Sequence, residues 1–385
     1  DLDLNSKQQD CGLKTIEDFT RKQLLDTFSC VLCGRCHKYC PSELSKERLK
    51  PKRINGFIRS YLEEEGREIW RAKALQAATA APASESDQLI AVKQRAGQKT
   101  QLKKVVGDLF RSDFIWSCTT CGACNEACPL DIDHLSKIIG MRRNIISENN
   151  NIPEELQQVF SGIENCGNPF AMPRPDYSTN SRWLSETGCT SFREKPAAEY
   201  LLFFGCQALF ERTARQAAEA TVRILQTAGL DFAVLAEAEW CCGDPARRTG
   251  NELLYQKTVL RNIALFKQLG VKKIITLCPH CFNTFKNEYP QFGGCWEVVA
   301  HTALIAELIR KERLTMSQGR TLAPLDSADK VKITYHDPCY LTRYNSLGTE
   351  PREILASLPG LELVEMSRNR EKSFCCGAGG GRFWT

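Results

Sequence analysis

The sequence predicts an α+β protein, in which a mostly helical N-terminal domain is followed by an α/β domain of two related modules, the second incomplete. Three observations support this class. Up to about residue 160, apolar residues recur at helical spacing around two cysteine-rich runs. From about residue 198, short apolar runs alternate with helical stretches, which favours parallel strands joined by helices. A Cys-Cys-Gly triplet also occurs twice, each time at nearly the same distance behind a single cysteine, which indicates an internal repeat.

Composition and charge limit the class of protein. The chain has 385 residues, a net charge of +5 and 20 cysteines. No apolar run is long enough to span a membrane, and no signal peptide opens the sequence. Most cysteines lie in tight Cys-x-x-Cys groups, which favours metal clusters over a secreted disulfide scaffold. Because such thiolates must stay reduced, we expect the protein to lie in the cytoplasm or on the cytoplasmic side of a membrane. We expect no nucleic-acid partner.

The N-terminal domain, residues 1–160, carries both cysteine runs. A predicted helix ends just before the first run, which has the form Cys-x2-Cys-x2-Cys-x3-Cys-Pro and returns in full from Cys118. In two-cluster bacterial ferredoxins with this spacing, the fourth cysteine of each run binds the cluster of the other run. Two zinc sites are the alternative, but they leave the Cys-Pro ends without a role. We therefore expect two 4Fe–4S clusters, one on Cys30, Cys33, Cys36 and Cys128 and one on Cys118, Cys121, Cys124 and Cys40.

Three further elements of this domain are predicted from periodicity. Charged and alanine-rich stretches between the runs predict helices over 51–80 and 88–110, with a surface loop over 80–84. After Cys128, apolar residues at helical spacing from Leu135 predict another helix, which ends at the asparagines 149–151. Residues 161–197 lack periodicity and predict a linker to the second domain.

The α/β domain begins with a module at residues 198–328. Apolar runs predict strands over 200–204, 232–235 and 273–277, and helices over 213–228 and 253–269. In a parallel layer, side chains at the carboxyl ends of the strands meet at one edge, and Cys206 and Cys278 both fall at such ends. Residues 329–385 predict a partial second module, which opens with a strand over 332–335 just before Cys339.

The cysteines of the first module are grouped one, two and two. The adjacent pair Cys241-Cys242 suits a multi-iron cluster, in which two sulfurs bind different metal atoms. The second module repeats only the first three positions and has no closing Cys-x-x-Cys before Thr385. We therefore expect the sequence to be a piece of a longer chain.

This pattern resembles the cysteine-rich CCG module of heterodisulfide reductases. The resemblance implies an iron–sulfur cluster, cubane or non-cubane, at five positions of the first module: Cys206, Cys241, Cys242, Cys278 and Cys281. Longer strings, such as Cys242-Gly-Asp-Pro-Ala-Arg-Arg and Tyr335-His-Asp-Pro-Cys-Tyr-Leu, are similar to the iron–sulfur oxidoreductases that accompany electron-transfer flavoproteins.

That second resemblance covers nearly the whole chain and implies an oxidoreductase. Such a protein takes electrons from a reduced electron-transfer flavoprotein and passes them toward a membrane quinone pool. The resemblance also implies a membrane subunit, or a further membrane domain with haem, in addition to these 385 residues. Peripheral or anchored attachment to the cytoplasmic side of the membrane follows from it.

Two other functions stay open. One is a thiol–disulfide enzyme of the heterodisulfide reductase type, and the other is the iron–sulfur subunit of a glycolate or glycerol-3-phosphate dehydrogenase. No nucleophile–base pair stands out, so catalytic residues are not assigned and the chemistry belongs to the clusters.

The number of clusters predicted is three, with a fourth position left open. Three thiolates of the second module could hold another cluster only with an open iron or a foreign ligand. Alternatively, the second module folds against the first and covers its cluster. The glycines from Gly377 to Gly381 then let the backbone approach a cluster rather than bind a phosphate. The residues of this possible fourth site are Cys339, Cys375 and Cys376.

Overall fold

The N-terminal domain consists of helices, as expected. The computed structural model describes residues 11–79, 102–148, 152–172, 183, 186–315 and 330–385. In this domain four short helices belong to or flank the cysteine runs. The α-helices are α1 (Arg21–Ser29), α2 (Arg35–Tyr39), α3 (Pro41–Leu44), α4 (Pro51–Thr79), α5 (Ser112–Trp116), α6 (Ala123–Glu126), α7 (Leu135–Ser147) and α8 (Glu154–Cys166).

The helices that lead to and from the cysteine runs were predicted correctly. Helix α1 starts with a capping box, in which Thr20 and Gln23 satisfy each other's backbone N–H groups, and it ends one residue before Cys30. Helix α7 begins at Leu135. The asparagines proposed to end it at 149–151 lie outside the described residues.

The segment between the runs was predicted only in part. Helix α4 matches the helix expected over 51–80. The second expected helix, over 88–110, is wrong for residues 102–110, which form a turn. Gly107 has a φ of +112°, and the Asp108 carboxylate accepts a hydrogen bond from the Lys104 backbone N–H at 2.8 Å, so the side chain competes with helical bonding. Residues 88–101 and the loop at 80–84 lie outside the described part of the chain.

The first module contains a parallel four-stranded sheet in the order β2-β1-β3-β4. Its strands are β1 (Tyr200–Phe203), β2 (Phe232–Val234), β3 (Lys273–Thr276) and β4 (Glu297–Ala300). The first three match predicted strands, whereas β4 was missed. The α-helices around this sheet are α9 (Cys206–Phe210), α10 (Arg212–Thr227), α11 (Asp244–Thr249), α12 (Glu252–Gln268), α13 (Pro279–Asn283) and α14 (His301–Arg310).

Both faces of this sheet are covered, which explains the continuous apolar run of β1. Leu201 and Phe203 contribute to one buried cluster and Leu202 and Phe204 to the other, as the alternation of a strand requires. A parallel strand with two covered faces reads as a short, fully apolar run. The carboxyl ends of β1 and β3 then deliver Cys206 and Cys278 to the same edge of the sheet.

The second module has a smaller sheet of its own. Strand β5 (Val331–Ile333) pairs in parallel with β6 (Leu361–Leu363), and helices α15 (Cys339–Asn345) and α16 (Glu350–Ala356) lie between them in sequence. The α+β class is therefore confirmed.

The predicted linker, residues 161–197, starts within a helix. Helix α8 continues to Cys166, and Gly167, with a φ of +74°, follows it as the left-handed cap. Residues 173–182, 184 and 185 of the linker lie outside the described residues. No helix in the described part of the chain combines the length and apolarity that crossing a bilayer requires.

Candidate iron–sulfur sites

The first group of cysteines lines one cleft at the edge of the N-terminal domain. The cleft is bordered by three cysteines of the first run and by Cys128 of the second, which is the crossed arrangement expected from the spacing. Its other walls are mostly apolar, with Val31, Leu32 and Leu130 among them. Four thiols around a cleft of apolar walls fit a 4Fe–4S cluster. The four residues are Cys30, Cys33, Cys36 and Cys128.

The second group lies deeper in the protein. Cys118, Cys121 and Cys124 are buried, and the thiol of Cys40 from the first run lies beside them. Burial, with smaller contributions from the neighbouring Cys118 and Cys121, raises the pKa of Cys40 to about 12. Burial also raises the pKa of Cys118 and Cys124, whereas contact with Cys375 lowers that of Cys121. A bound metal would favour the thiolate form at all four.

The two runs share their backbone conformation. The residue before the second cysteine has a positive φ in both, +53° at Leu32 and +52° at Thr120. The glycine after that cysteine also has a positive φ, +80° at Gly34 and +76° at Gly122. Left-handed conformations at non-glycine residues are uncommon and costly, so their recurrence shows that both runs form the same ligand loop.

The five cysteines of the first module meet at the edge of its sheet. The Cys242 and Cys281 sulfurs are 3.4 Å apart. The Cys206 and Cys241 thiols contact each other, and Cys278 contacts Cys281. The structure therefore brings together all five positions that the resemblance implies.

A buried carboxylate holds the turn that presents Cys206. Glu239 accepts hydrogen bonds from the backbone N–H groups of Phe204 and Gly205, at 3.2 and 2.7 Å. Burial raises the pKa of Glu239 to about 8. The role of this residue was not predicted from the sequence, although its place just before the Cys241-Cys242 pair is the signal that could have found it.

Charged side chains surround the other side of this group. His280 Nδ1 lies 2.8 Å from an Asp244 carboxylate oxygen, and Arg248 donates to the same carboxylate at 2.9 Å and to Glu288. Burial opposes protonation of His280, but the charge of Asp244 and the hydrogen bond to it outweigh burial and raise the pKa to about 10. The charged residues near Cys242 thus form an ion-pair network that holds the loop of the Cys241-Cys242 pair in place.

The three cysteines of the second module also lie together. The Cys375 thiol contacts those of Cys339 and Cys376, and it contacts Cys121 of the second ferredoxin-type run as well. The Cys-Cys-Gly turn repeats that of the first module closely. Gly243 and Gly377 both have a φ of +90°, and each donates its N–H to the first cysteine of the pair at 3.4 Å.

The start of the second module is fixed by a buried ion pair. Arg352 donates two hydrogen bonds to Asp337, at 2.7 and 2.9 Å, and Asp337 also accepts one from the Arg370 backbone N–H. Asp337 lies two residues before Cys339. This ion pair explains why the string Tyr335-His-Asp-Pro-Cys-Tyr-Leu has an aspartate before its cysteine.

The second module packs against two parts of the molecule: the cysteine group of the first module and the second ferredoxin-type run. Its Tyr340 ring stacks against His280 of the first module, with ring centroids 4.0 Å apart. The glycine-rich turn, however, packs on the second ferredoxin-type run. A Cβ on Gly380 would lie 2.5 Å from the Cys118 carbonyl oxygen, so only glycine allows this approach.

A single metal ion has no site among the described residues. No three His, Cys, Asp or Glu side chains there converge closely enough on one point to hold one ion. A 4Fe–4S cluster is larger, and its four thiolates bind four different iron atoms. Each of the two ferredoxin-type groups offers the four thiols that such a cluster needs.

Two family models match the chain. A 4Fe-4S dicluster domain matches residues 29–132, and a cysteine-rich domain called CCG matches residues 200–286 and 333–385. Both match the regions in which the structure groups the cysteines. No solved structure matches the chain.

Several curated proteins are similar over almost the whole chain. An EtfAB:quinone oxidoreductase of Syntrophomonas wolfei is 38% identical over 97% of this chain and 51% of its own length. A probable iron-sulfur-binding oxidoreductase of Bacillus subtilis is 36% identical over 97% of this chain and 53% of its own length. The chain thus spans about half the length of these relatives.

A third relative is covered more completely. It is a subunit of a dihydromethanophenazine:CoB–CoM heterodisulfide reductase from Methanosarcina acetivorans, and it is 30% identical over 95% of this chain and 81% of its own length. The relatives, the dicluster domain and the cysteine-rich domain agree with the cysteine groups of the structure. The chain belongs to the heterodisulfide-reductase-like, CCG-domain family of iron–sulfur oxidoreductases, and its dicluster domain supports the binding of 4Fe–4S clusters.

Proposed function

We propose that this chain relays electrons from a reduced electron-transfer flavoprotein, through its clusters, toward a membrane quinone pool. The observation that carries this proposal is the continuous packing between the cysteine groups. Cys121 of the second run contacts Cys375, and Tyr340 bridges the second run and the first module. Its hydroxyl bonds to the Thr120 carbonyl at 3.2 Å, while its ring stacks on His280. A chain of clusters in contact through packed side chains serves electron transfer.

The ligands proposed for three clusters are the cysteine groups described above. The cluster on Cys30, Cys33, Cys36 and Cys128 lies nearest the surface, since Cys33 is exposed, and it receives electrons first. The cluster on Cys118, Cys121, Cys124 and Cys40 is the relay. The cluster on the five cysteines of the first module is the last in the described chain.

The named partners come from the relatives. The Syntrophomonas wolfei relative is named an EtfAB:quinone oxidoreductase, which supports a flavoprotein donor and a quinone acceptor for this chain. A relative from Chromohalobacter salexigens, 33% identical, is named a probable membrane-anchored ferredoxin. We therefore propose that this chain works with a membrane domain or subunit and lies on the cytoplasmic side of the membrane.

The test is reduction by the proposed donor. The purified chain is mixed without oxygen with electron-transfer flavoprotein that has been reduced in advance, and the visible absorbance of the clusters is followed. Bleaching is the expected result. If dithionite bleaches the clusters and the reduced flavoprotein does not, the donor is a different one.

Cluster number is tested separately. Three 4Fe–4S clusters correspond to about twelve iron atoms per chain. A triple variant, Cys339→Ser, Cys375→Ser and Cys376→Ser, is expected to keep this iron content. Loss of about four irons in that variant would show a fourth cluster at the second module and contradict the count of three.

One observation favours a second candidate function. The chain covers most of the Methanosarcina acetivorans relative, whose name refers to a heterodisulfide. In that case the cluster of the first module would cleave a disulfide. Reduction of a heterodisulfide by this chain with an artificial electron donor would replace the flavoprotein relay by this function.

A further inference from the structure

Arg142 is a fully buried cation at the centre of the molecule. It lies on α7 with none of its side chain exposed. Its guanidinium donates to the carbonyl oxygens of Ile115, Trp116 and Cys118, at 3.1, 3.4 and 2.6 Å. It also donates to the carbonyls of Arg248 and Gly380, at 2.8 and 2.9 Å. One side chain thus ties the second ferredoxin-type run to both modules of the α/β domain.

The charge of this guanidinium lacks a carboxylate partner. Within the described residues, all five of its hydrogen bonds go to neutral carbonyl groups, and its Nε has no acceptor. The neighbouring group that favours its charge most is the thiol of Cys118. A buried charge without a counter-ion is strongly unfavourable, so a negative group is expected close by.

The other buried cation of the same helix has a different environment. Lys137 donates to the Asn55 side chain at 2.6 Å, and the carboxylates of Asp26 and Asp133 lie near it. Its Coulombic neighbours also include Cys30 of the first cluster group. Lys137 is therefore accompanied by two acids, whereas Arg142 has no carboxylate among its hydrogen-bond partners.

We propose that Arg142 is the counter-ion of the cluster on Cys118, Cys121, Cys124 and Cys40, and that it raises the reduction potential of this cluster. Reduction adds one electron to an already anionic cluster, with no bond made or broken. A nearby positive charge therefore stabilises the reduced form more than the oxidised form. A higher potential at the second cluster favours electron transfer to it from the first. The inference rests on the cluster ligands proposed above, but not on the identity of the electron donor.

The experiment is a redox titration of the whole chain, with chemical mediators and electron paramagnetic resonance detection. Arg142→Gln removes the charge, and Arg142→Lys keeps it with fewer hydrogen bonds. Arg143→Gln is the matched control, since it removes the adjacent cation of the same helix, which pairs with Glu252 at 2.7 Å. A Cys33→Ser chain, which lacks the first cluster, and a Cys281→Ser chain, which lacks the cluster of the first module, together identify the signal of the second.

Arg142→Gln is expected to lower the potential of the second cluster alone. A tenfold change in the reduction equilibrium corresponds to about 59 mV for one electron, and a shift of at least this size is expected. Arg142→Lys is expected to retain most of the potential, and Arg143→Gln all of it. Equal shifts in the glutamine and lysine variants, a shift of both clusters together, or no shift would overturn the proposal.

Loss of the cluster is also informative. If the second cluster assembles with Arg142→Lys and not with Arg142→Gln, the charge is required and the proposal stands. If it assembles in neither, the hydrogen bonds are essential and the proposal is wrong. The potentials are set with chemical mediators, so a failure of the flavoprotein to donate electrons would leave this result intact. Absence of iron at these cysteines in the parent chain would end both proposals.

Discussion

The two ferredoxin-type runs have the same sequence pattern and the same backbone turns but very different surroundings. Around the first run, Val31 is 68% exposed and Leu130 is 46% exposed, and Cys33 reaches the surface. In the second run, Cys121 is 5% exposed and lies against Cys375 of the second module. The motif thus determines the ligand loop, while the rest of the fold determines how far each cluster is from solvent. An exposed cluster suits exchange with another protein, and a covered one suits internal transfer.

The largest expected effect is a difference in chemical lability. Because the first cluster lies at an open cleft and the second is covered, a mild oxidant should destroy the first while most of the second remains. The electron paramagnetic resonance signals, followed over time, distinguish them. Simultaneous loss of both signals would show that the cover does not protect the second cluster.

The glycine-rich turn that covers the second run can be disrupted at Gly380. Its φ is +63°, and an alanine Cβ would lie 2.5 Å from the Cys118 carbonyl oxygen. Gly380→Ala should destabilise this region by about 2–4 kcal/mol, through left-handed backbone strain and overpacking together. Iron release to a chelator should accelerate for the second cluster. The control is Gly377→Ala, with a φ of +90° and open space around it, where only the strain of about 1–2 kcal/mol applies. Equal effects of the two variants would mean that the close contact is unimportant.

The equivalent glycines of the two runs sharpen the comparison. A Cβ added at Gly34 would have nothing within 4 Å, whereas a Cβ added at Gly122 would lie 3.1 Å from the Tyr344 ring. Both alanine variants carry the same backbone strain of about 1–2 kcal/mol, and Gly122→Ala should cost about 1 kcal/mol more. Thermal loss of visible circular dichroism, measured for both variants, checks this order. A larger effect at Gly34 would contradict it.

The smallest expected effect is at the tyrosine bridge. Tyr340→Phe removes the hydroxyl bonds to the Thr120 side chain at 3.0 Å and to its carbonyl at 3.2 Å. The carbonyl keeps its bond from the Tyr344 hydroxyl at 2.7 Å, so the loss of stability should be about 1 kcal/mol. The first cluster should be unaffected, and its unchanged thermal loss serves as the internal control. A change at the first cluster would show that the two runs respond as one unit.

Local features of the chain could be predicted from the sequence. The first three parallel strands follow from short apolar runs, and the grouping of the cysteines follows from their spacing. Strand β4 was missed because Glu297 interrupts an apolar run of only a few residues. Strand β6 was not predicted either, because it has only three residues with a glutamate in the middle. The prediction of a helix over 102–110 was wrong because hydrophobic periodicity does not reveal a glycine turn or an aspartate side chain that competes for backbone hydrogen bonds.

The surroundings of the second run could not be predicted in the same way. Arg142 joins residues that are far apart in sequence. Its position among the apolar residues of α7 was the available signal. Which face of that helix meets the second domain is decided by tertiary packing, which no local pattern contains.

The contact between Arg142 and Gly380 has a consequence for biosynthesis. These residues are 238 positions apart, so the cover of the second run is made only when nearly all of the described chain has left the ribosome. Such non-local contacts form late in folding because the loop between them must close first. All four cysteines of the first group have emerged by Cys128. The cysteines of both groups have therefore emerged long before the glycine-rich turn, and the second group remains open to iron delivery, and to oxygen, until that turn arrives.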